Sequence, residues 1–318
     1  MTLREWRDRR KRIVAWTILF LLPIVAGGCS KWSGGGPSLP SAVKEPASAY
    51  DKRLKKKIGA VPFRMESIFG DSMLKDFFQD NLLQAIQEKC TDILFIKPGG
   101  GDFPEGLVNL PLLASGAVDN FSLAMTGRPF GLNAVLVGKI TSINVDEKIK
   151  GFWFLRSSHY YVQVEALIEL YDTATATKIF DQTLSHKIEV EEPDVELIRA
   201  QNRIEPYFIE PSLAEIIDDV KDNLCKAIER QAWKSYIVAV DAADILMAAG
   251  SRSNVKAGDI FEVYDSRQSI EGYGGHRYLP PGPKVGEIEV KAVSEDTARA
   301  VSVSGSGFKE GQGLRLKK

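Results

Sequence analysis

Residues 159–172 read HYYVQVEALIELYD, and residues 172–191 continue as DTATATKIFDQTLSHKIEVE. The first stretch alternates with a two-residue period and sets Tyr161, Val162 and Val164 at positions that favour β structure. The second returns it as a hairpin. Upstream, NAVLVGKITSINV at 133–145 supplies a strand before this pair, so the centre of the chain predicts a three-strand antiparallel meander. Further outward, IGAVPF at 58–63 reads as a buried strand ended by Pro62, and ILFIKP at 93–98 as another. Between them Leu74, Phe77, Phe78, Leu82, Leu83 and Ile86 recur at helical spacing behind Asp71 or Ser72 as cap. The basic run Lys55–Lys57 reads as a solvated strand edge. A last helix is expected from Ser212, whose hydroxyl and Glu215 form a capping box, to about Ala232. The order β-α-β, loop, meander, helix predicts helices packed on a mixed sheet over residues 52–232.

From Trp233 the period changes to two. SYIVAVD, ILMAAG, DIFEVYD, GEIEVKAV and ARAVSV are short strands between Asp, Gly and Ser turns, which predicts a small SH3-like β-barrel over 233–318. Two segments echo each other, Val255–Phe261 (VKAGDIF) and Phe308–Leu314 (FKEGQGL), each a Gly turn leading into a strand. The fold class is α+β, an α/β domain followed by a barrel.

The chain of 318 residues carries 44% apolar and 26% charged residues, with 41 Lys plus Arg against 42 Asp plus Glu. Disorder requires low hydrophobicity with high net charge, and nucleic-acid binding usually brings a basic surplus; a formal charge of −1 fits neither. Residues 13–28 form an apolar stretch of signal-peptide length behind a basic start, and Ala26, Gly27 and Gly28 stand directly before Cys29. This resembles the lipobox of bacterial lipoproteins, with Ala26 where Leu is usual. The resemblance implies cleavage after residue 28, acylation of Cys29 as the only cofactor-like group, and, with Ser30 following, an outer-membrane address with the body in the periplasm. Two or three acyl chains hold a protein on its membrane where one does so only marginally. Residues 29–51 are rich in Gly, Ser and Pro and read as a tether.

Once Cys29 is lipidated, Cys90 and Cys225 remain in an oxidising compartment. They lie at the end of one predicted helix and inside another; a bridge between helices and two buried thiols are both open readings. The order KKIGAVPF, amphipathic helix, AVLVGKITSI, VEALIELYDTATATKIF is similar to a domain shared by the amino-terminal part of the translocation protein TolB, the curli-secretion lipoproteins, lipoprotein activators of penicillin-binding proteins and the middle part of flagellar assembly protein T. Where that family's turn usually ends in Thr-Gly, this chain has Thr175 and Ala176. The run AAGSRSNVKAGDIFEVY with VGEIEVKAVSEDTARAVSV resembles the carboxyl-terminal domain of flagellar assembly protein T.

Chemical motifs are weak. FGDSM at 69–73 is close to the first block of GDSL esterases, but Asp stands three residues before none of His159, His186 and His276, and a serine nucleophile needs a positioned base and an oxyanion hole. Gly99–Gly101 lack the Lys-Ser or Lys-Thr of a phosphate loop. No spacing of His and Cys forms a metal set. The chain is therefore read as having no catalytic residues, no metal and no small-molecule substrate. IKGFWFLRSS at 149–158 places Phe152, Trp153 and Phe154 near a hairpin tip, where they form a contact patch for protein or membrane, unless the strand continues and half of them enter the core. Residues 107–127 are apolar and rich in small residues but lack the alternation of a membrane barrel. The loop IEGYGGHRYLPPGPK at 270–284 offers Tyr273, His276, Arg277 and Tyr278 for a protein contact, a plain barrel loop being the other reading. These features predict a non-catalytic outer-membrane lipoprotein that self-associates as a scaffold in an envelope machine, the resemblance pointing to a ring around the flagellar motor. Its partners would then be envelope or flagellar basal-body proteins. The alternatives are an activator of a peptidoglycan synthase and a curli-type secretion-channel lipoprotein.

Overall fold

Strand β4 (Leu132–Lys150) organises the first half of the molecule, seen in a computed structural model that describes residues 53–67, 72–201, 204–241 and 244–317. The expected signal peptide, tether and Cys29 lie outside the described residues, as does Asp71. On one side β4 pairs in parallel with β1 (Lys56–Ala60) and the short β2 (Arg64–Met65), and β1 pairs with β3 (Ile93–Ile96). On the other, β5 (Ser157–Asp172) and β6 (Lys178–Val190) complete the antiparallel meander.

Both faces of this sheet are covered near its centre. Ala134, Leu136 and Ile140 of β4 and Val162, Val164, Ala166, Ile168 and Leu170 of β5 point into a core closed by helices α1 (Ser72–Lys89) and α4 (Pro206–Glu229). The intervening Val135 and Val137 enter a second cluster with Leu107, Leu123 and Tyr171, under α2 (Asn120–Gly127). Period-two alternation with both sides apolar gives the continuous AVLV run. With α3 (Glu192–Gln201), the described residues hold four α-helices, and no helix among them is long and apolar enough to cross a membrane.

The second half is a closed six-strand barrel in the order β12-β13-β8-β7-β14-β9, formed by β7 (Ser235–Asp241), β8 (Asp244–Met247), β9 (Ile260–Tyr264), β12 (Lys284–Val293), β13 (Ala298–Gly305) and β14 (Gly313–Leu316). The strands that follow the two echoed turns, β9 and β14, pair with each other, Leu314 opposite Val263. Outside the barrel β10 (Ile270–Glu271) and β11 (Arg277–Tyr278) make a small hairpin. Leu54, ahead of β1, is buried inside the barrel core, so the chain visits the barrel before it builds the sheet.

Two local expectations change. The last helix starts at Pro206, six residues before Ser212, with Pro at the first helical position, where its missing N–H costs nothing. Ser212 is buried inside it, its hydroxyl 3.3 Å from His186 Nδ1. The helix passes through Pro211 because Phe208 and Ile209 ahead of it enter the core. Lys56 and Lys57 are not solvated: they are buried within β1. Lys56 Nζ donates to the carbonyls of Ile228 and Glu229 at the negative end of α4, and burial brings its ammonium down to about 8. In the β5–β6 turn, Ala176 takes φ +56°, a left-handed conformation in which glycine is at home, and its methyl is buried.

Candidate functional site

The sequence-predicted contact residues fall in two places, joined through the structure by a seam between sheet and barrel. At the seam, Arg128 is 1% exposed and donates to the carbonyls of Thr173 (2.9 Å), Ala174 (2.7 Å) and Ser266 (3.0 Å). Its guanidinium also stacks 5.1 Å from the ring centroid of buried Tyr236. The Tyr236 hydroxyl lies 2.9 Å from Thr173 Oγ1, and burial raises its pKa. Beside it Lys234 donates to Asp172. Burial pushes the Asp172 carboxyl up, but the Lys234 charge and hydrogen bonds from Lys234 and Thr175 outweigh it and hold the carboxyl below its ordinary range. Gly131, with φ +71°, brings its backbone against the Ala248 carbonyl, where a Cβ would stand 2.0 Å from the oxygen. Arg252 adds ion pairs to Asp102 (2.7 Å) and Asp296 (3.2 Å).

The first contact region is a cleft of about 280 Å³ on the barrel-facing side of the sheet. Its floor is Val137 and Lys139 of β4 and Leu167, Glu169 and Tyr171 of β5; Leu110 and Leu112 form one wall, His276 and Tyr278 another. The 270–284 loop is not a free arm. Arg277 stacks 3.8 Å from the ring centroid of Phe121, and Asn120 donates to the Arg277 and Ala176 carbonyls at 2.7 Å while its Oδ1 lies 3.1 Å from His276 Nδ1. Of the four loop residues, Tyr273 alone is fully exposed, at 99%. The cleft's cations are paired, Lys139 and Arg64 sharing Glu66 at 3.0 and 3.7 Å and Lys178 with Glu169 at 2.7 Å, so it offers a mixed polar and apolar lining and no strong net field.

The second region is the β4–β5 tip. Gly151 turns the chain with φ +109°, its Cα so close to the Leu155 carbonyl that a Cβ would lie 2.0 Å from the oxygen. One 3₁₀ turn (Trp153–Leu155) follows, in which Trp153 holds φ +48°, a conformation rare for a bulky residue. Phe152, Trp153, Phe154 and Leu155 are 83%, 76%, 81% and 72% exposed, so none of them enters the core. Trp153 and Phe154 pack on each other, ring centroids 5.8 Å apart. Below them Lys148, Lys150 and Lys187 surround the Tyr161 ring at 5.2 to 5.9 Å.

Near this tip the structure places Ser157 Oγ 3.0 Å from His159 Nε2, and His159 Nδ1 2.5 Å from Glu189. Sequence reading missed this trio because Glu189 reaches His159 only across the β5–β6 register, where Tyr161 faces Glu189. The order is that of nucleophile, base and carboxylate. It sits on an open strand face in water, however, and the Ser157 backbone belongs to the β4–β5 ladder at Lys150, so no pair of amides is gathered to hold an oxyanion. Elsewhere Cys90 and Cys225, both buried, are joined by a disulfide with Cα atoms 5.9 Å apart, tying the end of α1 to α4.

No protein-family model matches the sequence, and no curated protein matches it. Among solved structures, a lipoprotein from Neisseria meningitidis is 15% identical with a TM-score of 0.30, over 54% of this chain and 99% of that one. A minor lipoprotein from Acinetobacter baumannii gives 9% and 0.29 over 54% and 93%, and a hypothetical protein from Chlamydia trachomatis 11% and 0.31 over 54% and 99%. Identities and scores this low leave the function to be read from the chain's own residues.

Proposed function

We propose that the chain is a non-catalytic outer-membrane lipoprotein, held by acylated Cys29, that serves as a scaffold in an envelope machine, most concretely a ring around the flagellar motor. The observation that supports this most is the seam. Arg128, Tyr236, Thr173 and the Lys234–Asp172 pair are buried and mutually satisfied, which ties sheet and barrel into one unit and leaves contact residues on its outside. A unit of that kind suits side-by-side packing in a closed cyclic assembly. In the same reading the β-α-β-meander half is a TolB-amino-terminal-like domain and the barrel is SH3-like, the order at the end of flagellar assembly protein T. Homo-oligomeric contacts would use Tyr273 and the rim of the cleft at His276, Arg277 and Tyr278.

Electron microscopy and mass determination on the native lipidated protein, extracted in gentle detergent, test the assembly. Closed rings are expected, and a uniform monomer would overturn the ring. Cys29→Ala is expected to release the protein from membranes; a variant that still sediments with them after a high-salt wash would refute lipid as the sole anchor.

A further inference from the structure

The 17 residues from Lys148 to Val164 contain no Asp or Glu. Their charges, Lys148, Lys150 and Arg156, flank four successive large apolar side chains, and the first carboxylates, Glu147, Asp146 and Glu189, come only farther down the finger. Composition along the hairpin thus runs from apolar through cationic to mixed charge. That is the gradient from acyl chains through anionic phosphates to water at a bilayer surface.

Geometry adds two points. The buried residue nearest the tip, Tyr160, pairs with Glu147, so the turn stands three residue pairs beyond it, about 10 Å at strand rise. Amphipathic segments lie about 5–10 Å deep in the headgroup and acyl boundary, a comparable length. The apolar surface of the tip is on the order of 500 Å², in the range of the largest patch on a soluble monomer, which is often functional, and smaller than the roughly 800 Å² per partner of a standard protein interface. The cations are also crowded around one ring, Lys148, Lys150 and Lys187 all within 5.9 Å of the Tyr161 centroid. Lys148 beside it holds the Lys187 ammonium below its ordinary value, a cost that a bound phosphate would relieve.

We infer that the β4–β5 hairpin is a membrane-docking finger: Phe152, Trp153, Phe154 and Leu155 enter an anionic leaflet, and Lys148, Lys150 and Arg156 engage its phosphates. The inference goes beyond the scaffold reading and does not depend on acylation of Cys29. It gives the body a fixed orientation on the membrane, which a lipid anchor alone cannot do.

The test uses the full lipidated chain reconstituted in vesicles of phosphatidylethanolamine and phosphatidylglycerol, with and without brominated acyl chains. A Trp153→Phe companion subtracts the emission of Trp32 and Trp233, the other tryptophans of a chain that begins at Cys29. Bromine is expected to lower the Trp153 emission about twofold, as for an indole at the acyl boundary. Replacing Lys148, Lys150 and Arg156 by Gln is expected to reduce that quenching, each lost cation weakening docking about fivefold, from about 1 kcal/mol per basic residue at an anionic surface. Trp153 emission indifferent to bromine while the protein floats with the vesicles would overturn the inference, and so would a crosslinker at position 153 that captures only protein in cells. Membrane release of Cys29→Ala reads the anchor and bromine quenching of Trp153 in the lipidated chain reads the finger, so the two failures are told apart.

Discussion

The seam and the hairpin tip make opposite uses of large side chains. At the seam Arg128, Tyr236, Lys234 and Asp172 are buried, and each carries hydrogen bonds or an opposite charge. At the tip Phe152 to Leu155 are exposed and pack on little besides each other. A buried charge is tolerated only when partnered, and removing one partner strands the other, so the seam should be sensitive to every truncation. An exposed apolar side chain contributes almost nothing to folding, so the tip should be indifferent to them. Stability and contact therefore live on different residues.

The largest effect is expected at a third place that serves the seam's side of the contrast. The Cys90–Cys225 bond closes a loop of 135 residues, and in the chain-entropy model its reduction lowers stability by about 5 kcal/mol. Denaturation with and without reductant measures this; equal midpoints would show that the sheet and helices hold without the bridge. Arg128→Met comes next, at about 4 kcal/mol, because three carbonyls, two of them in buried hydrogen bonds, lose their donor. A loss below about 1 kcal/mol would remove the seam from the account.

Asp172→Asn follows at about 3 kcal/mol, leaving the Lys234 ammonium buried without its counter-charge. The sign with pH is fixed by the depressed Asp172 carboxyl. Its stabilisation is fully present above the ordinary carboxylate value near 4 and is lost as pH falls through the lower folded value. Acid titration of stability should therefore fall more steeply in the wild type than in Asp172→Asn. Parallel curves would place the pair's worth elsewhere.

Much of the fold was legible because it is periodic. The alternation of β5 and its return in β6 announced the meander, and the short period-two strands after Trp233 announced the barrel, down to the echoed turns that feed β9 and β14. What stayed hidden was set by contacts far apart in sequence. Lys56 reads as a solvated cation until α4, some 170 residues later, lays its carbonyl end on it. Arg128 gave no signal, since its partners lie 45 to 138 residues away. The short helix α2 did have one, Asp119 accepting from the Ser122 amide at 3.0 Å, but a long apolar run masked it. The tip was visible as an oddity of composition. Its exposure became decidable only when the β4–β5 register put Gly151 at the turn.

The comparison is tested most directly by a single variant that carries Phe152→Ser, Trp153→Ser, Phe154→Ser and Leu155→Ser, compared with the wild type in a denaturation titration. The account predicts a change of no more than about 0.5 kcal/mol, as for substitutions on an exposed surface, in a protein whose hairpin no longer enters anionic vesicles and which only its acylated Cys29 still holds there. A loss of several kcal/mol would mean that the tip belongs to the core and that the division between holding and touching is wrong.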